Sequence, residues 1–229
     1  MRRLIRKLVA AAGPAREPQT VERLVACALD AGADALAILG GLAPGEQAPR
    51  DYRRLLHSLA QANLPTFFVP GAEDAPIQEY LQEAYNIEIV YPFMHGVHGT
   101  FALGPGSVVV AGMGGEIVDD PKTPRDEVGR LRYPGWEVEY RLKVLEELKD
   151  YQRIFLFATP PAHKGLREPG SEVLAEMVKS YKPRLVLFPG APRQAHLGSA
   201  LLAAAGRLEE GECTLVDVQE SSVEAKRLR

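Results

Sequence analysis

The sequence has little cysteine, little tryptophan and no long hydrophobic run. Only 2 of its 229 residues are cysteine and 1 is tryptophan, which excludes a small secreted fold held by several disulfides. No apolar stretch approaches the ~18 residues that a transmembrane helix needs, so we expect no membrane association. The basic segment Met1–Lys7 is not followed by a long apolar segment. We therefore expect no secretory signal and a cytoplasmic protein.

A basic excess is also absent. The 27 Lys and Arg residues face 30 Asp and Glu residues, for a net charge of -3. A nucleic-acid-binding surface usually appears as a basic stripe, so we expect no nucleic-acid partner. Cys27 and Cys213 are far apart in the sequence and match no metal-ligand spacing, and we interpret them as two buried, reduced thiols. The 18 prolines and the excess of Arg over Lys are typical of a heat-adapted, thermophile source.

Short apolar segments alternate with amphipathic ones along most of the chain. The hydrophobic fraction of 46% is typical of a soluble globular protein with a sizeable core. Apolar runs that end at Gly or Pro predict strands at Ile5–Ala12, Ala35–Leu39, Thr66–Val69, Ile87–Val90, Thr100–Leu103, Ser107–Ala111, Ile154–Phe157, Leu185–Phe188, Ala200–Ala204 and Thr214–Val218. Helical periodicity predicts helices that begin near Pro18, carry Tyr52 to Leu59, and span about Pro76–Tyr85, Pro134–Lys149 and Ser171–Tyr181.

This alternation predicts an α/β fold with a mixed sheet or two sheets. No Gly/Ser linker and no internal repeat divides the chain, so we expect one domain over residues 1–229. The polar stretch Asp119–Arg132 is expected to be an exposed loop. In open α/β sheets, ligands bind outside the carboxyl ends of the strands. The places to search for chemistry are therefore Gly13, Gly40-Gly41, 70–74, 112–116, 158–163 and 189–193.

Three of these strand ends carry glycine motifs in a familiar order. Gly40-Gly41-Leu42, Val69–Asp74 and Leu187–Arg193 resemble the Gly-Asp, Gly-Asn-His-Asp/Glu and Gly-His-x-His motifs of calcineurin-like metallophosphoesterases. The resemblance implies that family's four-layer α/β/β/α sandwich of two mixed sheets. In the family, two metal ions clamp a phosphate and lower the pKa of an attacking water.

The metal ligands of that family are mostly replaced in this chain. The positions that align with them are Gly13, Ala15, Gly41, Ala72, Glu73, Ala158, Ala191 and Arg193. Among these motifs only Glu73 and the adjacent Asp74 offer a carboxylate. A two-metal centre needs several fixed ligands around each ion, so we expect no dinuclear metal site and no cofactor.

Seven residues near the strand ends are candidates for lining a pocket, and none is assigned a catalytic role. They are Glu73, Asp74, Glu116, His163, Lys164, Arg193 and His196. Asp74 is favoured as the N-cap of the helix that begins near Pro76. Desolvation is expected to raise the pKa of Glu73 unless His163, Lys164 or Arg193 lies in the same cleft.

These observations favour a divergent family member that binds a phosphorylated small molecule or a partner in the cleft where the family holds its metal ions. An active phosphoesterase, a hydrolase whose rebuilt site uses Glu73, Asp74, Glu116 and His163, is the first alternative. A non-catalytic scaffold subunit is the second. Any remaining hydrolysis is expected to be weak and metal-independent. The sequence leaves the substrate open and is compatible with a homo-oligomer.

Overall fold

Parallel strands buried on both faces form the centre of two sheets in the computed structural model, which describes residues 4–15, 17–42, 48–166 and 169–228. The strands are β1 Lys7–Ala11, β2 Ala35–Leu39, β3 Thr66–Val69, β4 Met94–Gly96, β5 Thr100–Leu103, β6 Val109–Met113, β7 Glu116–Val118, β8 Arg132–Pro134, β9 Arg153–Phe157, β10 Leu185–Phe188, β11 Gln194–Leu197, β12 Ala200–Ala204, β13 Glu212–Asp217 and β14 Ser222–Arg227. The helices are α1 Pro18–Asp30, α2 Ala48–Ala60, α3 Ile77–Val90, α4 Gly135–Leu142 and α5 Glu172–Tyr181.

Both sheets are mixed and have six strands. The first has the order β14-β13-β1-β2-β3-β4, in which β1 to β4 are parallel and β13 and β14 are antiparallel additions. The second has the order β11-β12-β10-β9-β6-β5, in which β12, β10, β9 and β6 are parallel and the two outer strands are antiparallel. The short pair β7 and β8 forms a separate parallel ribbon.

The central strands are continuously apolar because each face meets a different hydrophobic layer. In β1, Leu8 and Ala10 pack into the cluster between the sheets, while Val9 and Ala11 pack into the cluster under the helices. Helix α3 packs beside β4 of the first sheet, and α4 packs on β5 and β6 of the second. The two mixed sheets with helices outside them confirm the expected α/β/β/α fold.

The predicted strand Ile87–Val90 is wrong, because these residues end helix α3. Ile77, Tyr80, Ala84 and Ile87 are buried at helical spacing, whereas Ile89 and Val90 are exposed. Burial of this helical stripe outweighs the preference of β-branched residues for strands. The predicted helix Pro134–Lys149 is α4 followed by a 3₁₀ segment, Lys143–Leu148.

The polar stretch between β7 and β8 is largely exposed, as expected, but two of its acidic side chains fix it through hydrogen bonds. The Asp126 carboxylate accepts hydrogen bonds from the backbone N–H groups of Val128 and Gly129 at 2.9 and 3.0 Å. The Asp119 carboxylate accepts from the Ser171 hydroxyl at 2.5 Å and from the N–H of Glu172 at 2.8 Å, at the start of α5. Across the described residues, no helix is both long and apolar enough to cross a membrane.

Candidate functional site

The strand ends of the two sheets meet through a series of backbone contacts. Four backbone N–H groups donate across these strand ends to carbonyl oxygens at 2.9–3.1 Å: Gly13 to Gly40, Gly115 to Pro70, Ala158 to Met113, and Gly206 to Gly190. Ala12 N–H also donates to the Gly206 carbonyl, at 3.1 Å. We call Gly13, Gly40-Gly41, Gly71, Gly114-Gly115, Ala158 and Gly190 the strand-end ring. The candidate positions at six strand ends are therefore brought together.

Close backbone approach explains why glycines stand at these positions. A Cβ added at Gly40 would overlap the backbone nitrogen of Gly71, and one added at Gly114 would overlap the Pro70 carbonyl oxygen. Gly40 and Gly41 also have φ values of 73° and 67°, which only glycine adopts at little cost. The floor of the site is therefore built from backbone.

Asp74 holds two of these strand ends together. Its Oδ2 atom accepts hydrogen bonds from the N–H groups of Gly41 at 2.8 Å and Gly71 at 2.7 Å, and the side chain is buried. Burial raises the pKa of Asp74 to about 6, and the two hydrogen bonds partly oppose this shift. The predicted N-cap role is wrong: Pro76 occupies the N-cap of α3, without a side-chain cap. The backbone donors of the ring bind the carboxylate instead.

Four charged side chains beside the β3 end of the ring neutralise one another, and we call them the paired side. Glu73 forms an ion pair with Arg130, and Glu116 accepts from Arg130 at 3.1 Å and from Arg132 at 3.3 Å. The Glu73 side chain is 65% exposed, so the desolvation expected for it does not arise. The two arginines were missed by sequence analysis, although their alternation in Arg130-Leu131-Arg132 predicts that both lie on one face of a strand.

The candidate cations follow β9 and β10, and we call His163, Lys164 and Arg193 the cationic side. The 3₁₀ turn Lys164–Leu166 packs on β11, and a Cβ added at Gly165 would lie 3.7 Å from Ala195. Arg193 directly precedes β11, and its Nη2 atom would lie 3.1 Å from a Cβ added at Gly190. His163, Lys164 and Arg193 are therefore grouped beside β11.

Two histidines have different relations to this group. His163 Nδ1 accepts a hydrogen bond from the Gly165 N–H at 3.1 Å, so the neutral ring carries its proton on Nε2 and can donate to an anion. His196 is exposed and pairs with Leu201, whose side chain faces the space between the sheets. His196 therefore lies on the opposite face of β11 from Ala195.

A buried histidine forms a hydrogen bond with the backbone of the strand-end ring. His98 Nδ1 accepts from the Gly114 N–H at 3.0 Å, and its ring lies 5.3 Å from the Tyr133 ring. Burial and the positive charge of Arg141 lower the pKa of His98 to about 3. The imidazole is therefore neutral near pH 7 and keeps accepting the Gly114 hydrogen bond. No local spacing in the sequence indicates this role, because the contact depends on a turn 16 residues away.

The described side chains do not fit a two-metal centre. Of the carboxylates near the ring, Glu73 and Glu116 pair with arginines, and Asp74 accepts two backbone N–H groups. Nowhere in residues 4–15, 17–42, 48–166 and 169–228 do three or more His, Cys, Asp or Glu side chains form a group that could hold a metal ion. We therefore assign no chemical step to a metal.

Comparison with known proteins identifies the family. A family model described as metallophosphoesterase, calcineurin superfamily, matches residues 1–228. This chain belongs to that family. The metallophosphoesterase ancestry accounts for the two mixed sheets and for the position of the strand-end ring.

Solved structures agree with this metallophosphoesterase fold. The crystal structure of TT1561 from Thermus thermophilus is 44% identical, with a TM-score of 0.92, and the match covers 99% of this chain and 100% of that chain. A dimetal phosphatase from Danio rerio is 9% identical, with a TM-score of 0.59 over 98% of this chain and 99% of that one. An archaeal phosphodiesterase is also 9% identical, with a TM-score of 0.51 over 97% and 99%. These last two similarities concern the fold alone. A search of curated proteins gave no match.

Proposed function

We propose that this metallophosphoesterase-family chain forms no dinuclear metal centre and binds a phosphorylated small molecule on the cationic side of the strand-end ring. The contact between Asp74 and the N–H groups of Gly41 and Gly71 carries this proposal. Gly41 stands where the resemblance places the family's bridging aspartate. Here that position supplies a backbone donor to a buried carboxylate, so the two strand ends are held by the chain itself.

The cationic side supplies groups that suit a phosphate. Lys164 is exposed, and within the described part of the chain it forms no ion pair closer than 4.0 Å. His163 presents a donor at Nε2, because Nδ1 is occupied by Gly165. Ammonium and imidazole N–H groups form the charge-assisted hydrogen bonds that anionic oxygens favour. A ligand with one phosphate group is therefore the class that we assign to this surface.

Hydrolysis is not part of the proposed function. A two-metal site supplies an activated water and a charge clamp, each of which lowers the barrier by several kcal/mol. At about 1.4 kcal/mol per tenfold change in rate, losing both slows the reaction by many orders of magnitude. Help from one histidine as a general acid or base contributes only about 10²–10⁴-fold.

Calorimetric titration with inorganic phosphate and with glucose 6-phosphate tests the binding. The protein is first treated with EDTA, and glucose is the control ligand without a phosphate. We expect both phosphate compounds to bind and glucose not to bind. Lys164→Ala should weaken binding roughly 3–10-fold, as expected for the loss of one charge-assisted contact. The matched control is Lys179→Ala, since Lys179 pairs with Glu176 on the outer face of α5 and should leave binding unchanged.

A hydrolysis assay separates the two alternatives. Nitrophenyl phosphate esters are incubated with the protein, with and without Mn²⁺, and with Glu73→Ala as the comparison variant. Robust Mn²⁺-dependent turnover that disappears in the variant would favour the rebuilt phosphoesterase over our proposal. If the protein neither binds the phosphate compounds nor hydrolyses the nitrophenyl phosphate esters, the results would favour the scaffold subunit.

A further inference from the structure

The two cysteines, which are 186 residues apart in the sequence, meet in the fold. Cys27 on α1 and Cys213 on β13 have their Sγ atoms 3.6 Å apart, and both are free thiols. Cys213 is buried, but Cys27 is only half-buried, which corrects the expectation that both are buried. This thiol pair lies on the outer side of the first sheet and belongs to no part of the strand-end ring.

We infer that Cys27 and Cys213 form a reversible intramolecular disulfide when the protein meets a peroxide. A disulfide has an S–S distance of about 2.05 Å, so the two sulfurs need to approach by roughly 1.5 Å. Sulfurs already in van der Waals contact can cover this distance chiefly by side-chain rotation. The sequence separation is no obstacle, because folding has already brought α1 onto β13.

The surroundings make Cys27 the sulfur that reacts first. A groove of about 370 Å³ opens beside it and is lined in part by Arg23, Asp30, Lys226 and Arg227. Cys27 is half-buried and lines this groove, so a peroxide can reach its sulfur from solvent. Cys213 is shielded, and burial together with the neighbouring Cys27 raises its pKa. Cys213 is therefore suited to act second, once Cys27 carries a leaving group.

The chemistry balances with hydrogen peroxide as the oxidant. Cys27 gives up its proton and its thiolate attacks one peroxide oxygen. The O–O bond breaks, and the departing hydroxide takes up that proton and leaves as water, which gives a sulfenic acid on Cys27. The Cys213 sulfur then attacks the Cys27 sulfur and breaks its S–O bond. The departing hydroxide takes the Cys213 proton and leaves as water. Two thiols are oxidised by two electrons and one peroxide is reduced to two waters.

Mass spectrometry of the full chain, with thiol titration, tests this inference. The reduced protein is exposed to hydrogen peroxide, excess peroxide is removed, and half of the sample is treated with dithiothreitol. We expect the monomer to lose two hydrogen atoms and both titratable thiols, and dithiothreitol to restore them. Trypsin should then release residues 24–50 and 208–226 as one linked peptide from the oxidised sample only.

Variants at each cysteine control for other reactions. Cys27→Ser and Cys213→Ala should show no loss of two hydrogen atoms in the monomer, and circular dichroism checks that each is folded. If one variant does not fold, the linked tryptic peptide of the unmodified chain decides the question. Oxygen addition to Cys27 with a free Cys213, disulfide-linked dimers, or two unreacted thiols would each overturn the inference.

Discussion

On the paired side of the strand-end ring each charge has a counter-charge within reach, whereas on the cationic side Lys164 is exposed and has no ion-pair partner in the described part of the chain. Glu73 and Glu116 balance Arg130 and Arg132. Lys164 brings a positive charge, and the neutral His163 ring brings an N–H donor at Nε2. Two regions at the same strand ends thus differ in what they offer a ligand. Our proposal therefore places an anion beside Lys164 rather than on the paired side.

The same contrast distinguishes two adjacent acids. Glu73 is exposed and paired with an arginine, while Asp74 is buried and held by backbone N–H groups. Neighbouring carboxylates therefore have different functions: one adjusts the surface charge, and the other holds the floor shared by both sides. Changes at Asp74 should affect stability, and changes at Glu73 should affect ligand binding.

The largest expected effect is on the shared floor. Asp74→Ala removes the acceptor of two backbone N–H groups, whereas Asp74→Asn keeps an oxygen that can accept both. Because an unsatisfied, part-buried donor costs about 1–3 kcal/mol, we expect the alanine variant to be about 2–4 kcal/mol less stable than the asparagine variant. Urea unfolding of both proteins measures this difference. Equal stabilities would show that Asp74 does not hold the ring.

The ionisation of Asp74 gives the next effect, which depends on pH. Its pKa of about 6 in the fold exceeds the value of about 3.9 in an unfolded chain. The folded protein therefore binds this proton more tightly, and the free energy of unfolding should fall as the pH rises from about 4 to 6. We expect a fall of about 1–3 kcal/mol from this group. In Asp74→Asn this part of the fall in unfolding free energy between about pH 4 and 6 should be absent. An unchanged fall in the variant would show that other groups cause it.

A smaller effect is expected when one negative charge is removed from the paired side, because this changes the charge difference between the two sides. Glu73→Gln removes one negative charge and leaves Arg130 with Glu116 alone, so the site becomes more positive. We expect phosphate to bind roughly 2–5-fold more tightly at low salt, since screened charges near a surface interact weakly. Glu176→Gln on α5 is the matched control. Weaker phosphate binding in Glu73→Gln would mean that Glu73 itself supports the ligand.

The smallest effect concerns the stability of the paired side. Arg132→Ala breaks an exposed contact with Glu116, in which both side chains are about 40% exposed. Exposed ion pairs contribute about 0–1 kcal/mol, so we expect a loss of less than about 1 kcal/mol in the free energy of unfolding. Thermal unfolding at low and high salt measures it. A loss of several kcal/mol would show that this side supports the fold as well as balancing charge.

The central strands could be predicted from the sequence because their burial leaves a local signal. Runs such as Ala35–Leu39 are apolar on both faces and end at glycine, and the structure has β2 at these residues. Two of the edge strands, β11 and β14, lack that signal. β11 and β14 carry polar and charged residues, and only pairing with β12 and β13 makes them strands.

The candidate site could be predicted in position but not in its contacts. Glycines at strand ends indicate where the backbone must approach closely, and the strand-end ring forms there. The pairing of Glu73 with Arg130 spans 57 residues, and the thiol contact spans 186. Such contacts depend on how whole elements pack, so no local spacing in the sequence encodes them.

Elemental analysis of the dialysed protein tests the central claim most directly. The chain is expressed in medium supplemented with Mn²⁺ and Zn²⁺, dialysed without chelator, and measured for metal per chain beside an established two-metal phosphatase. Our account predicts far less than one tightly bound transition metal per chain, because Asp74 is engaged by backbone N–H groups and Gly41 offers no side chain. About two tightly bound metals per chain would contradict the account.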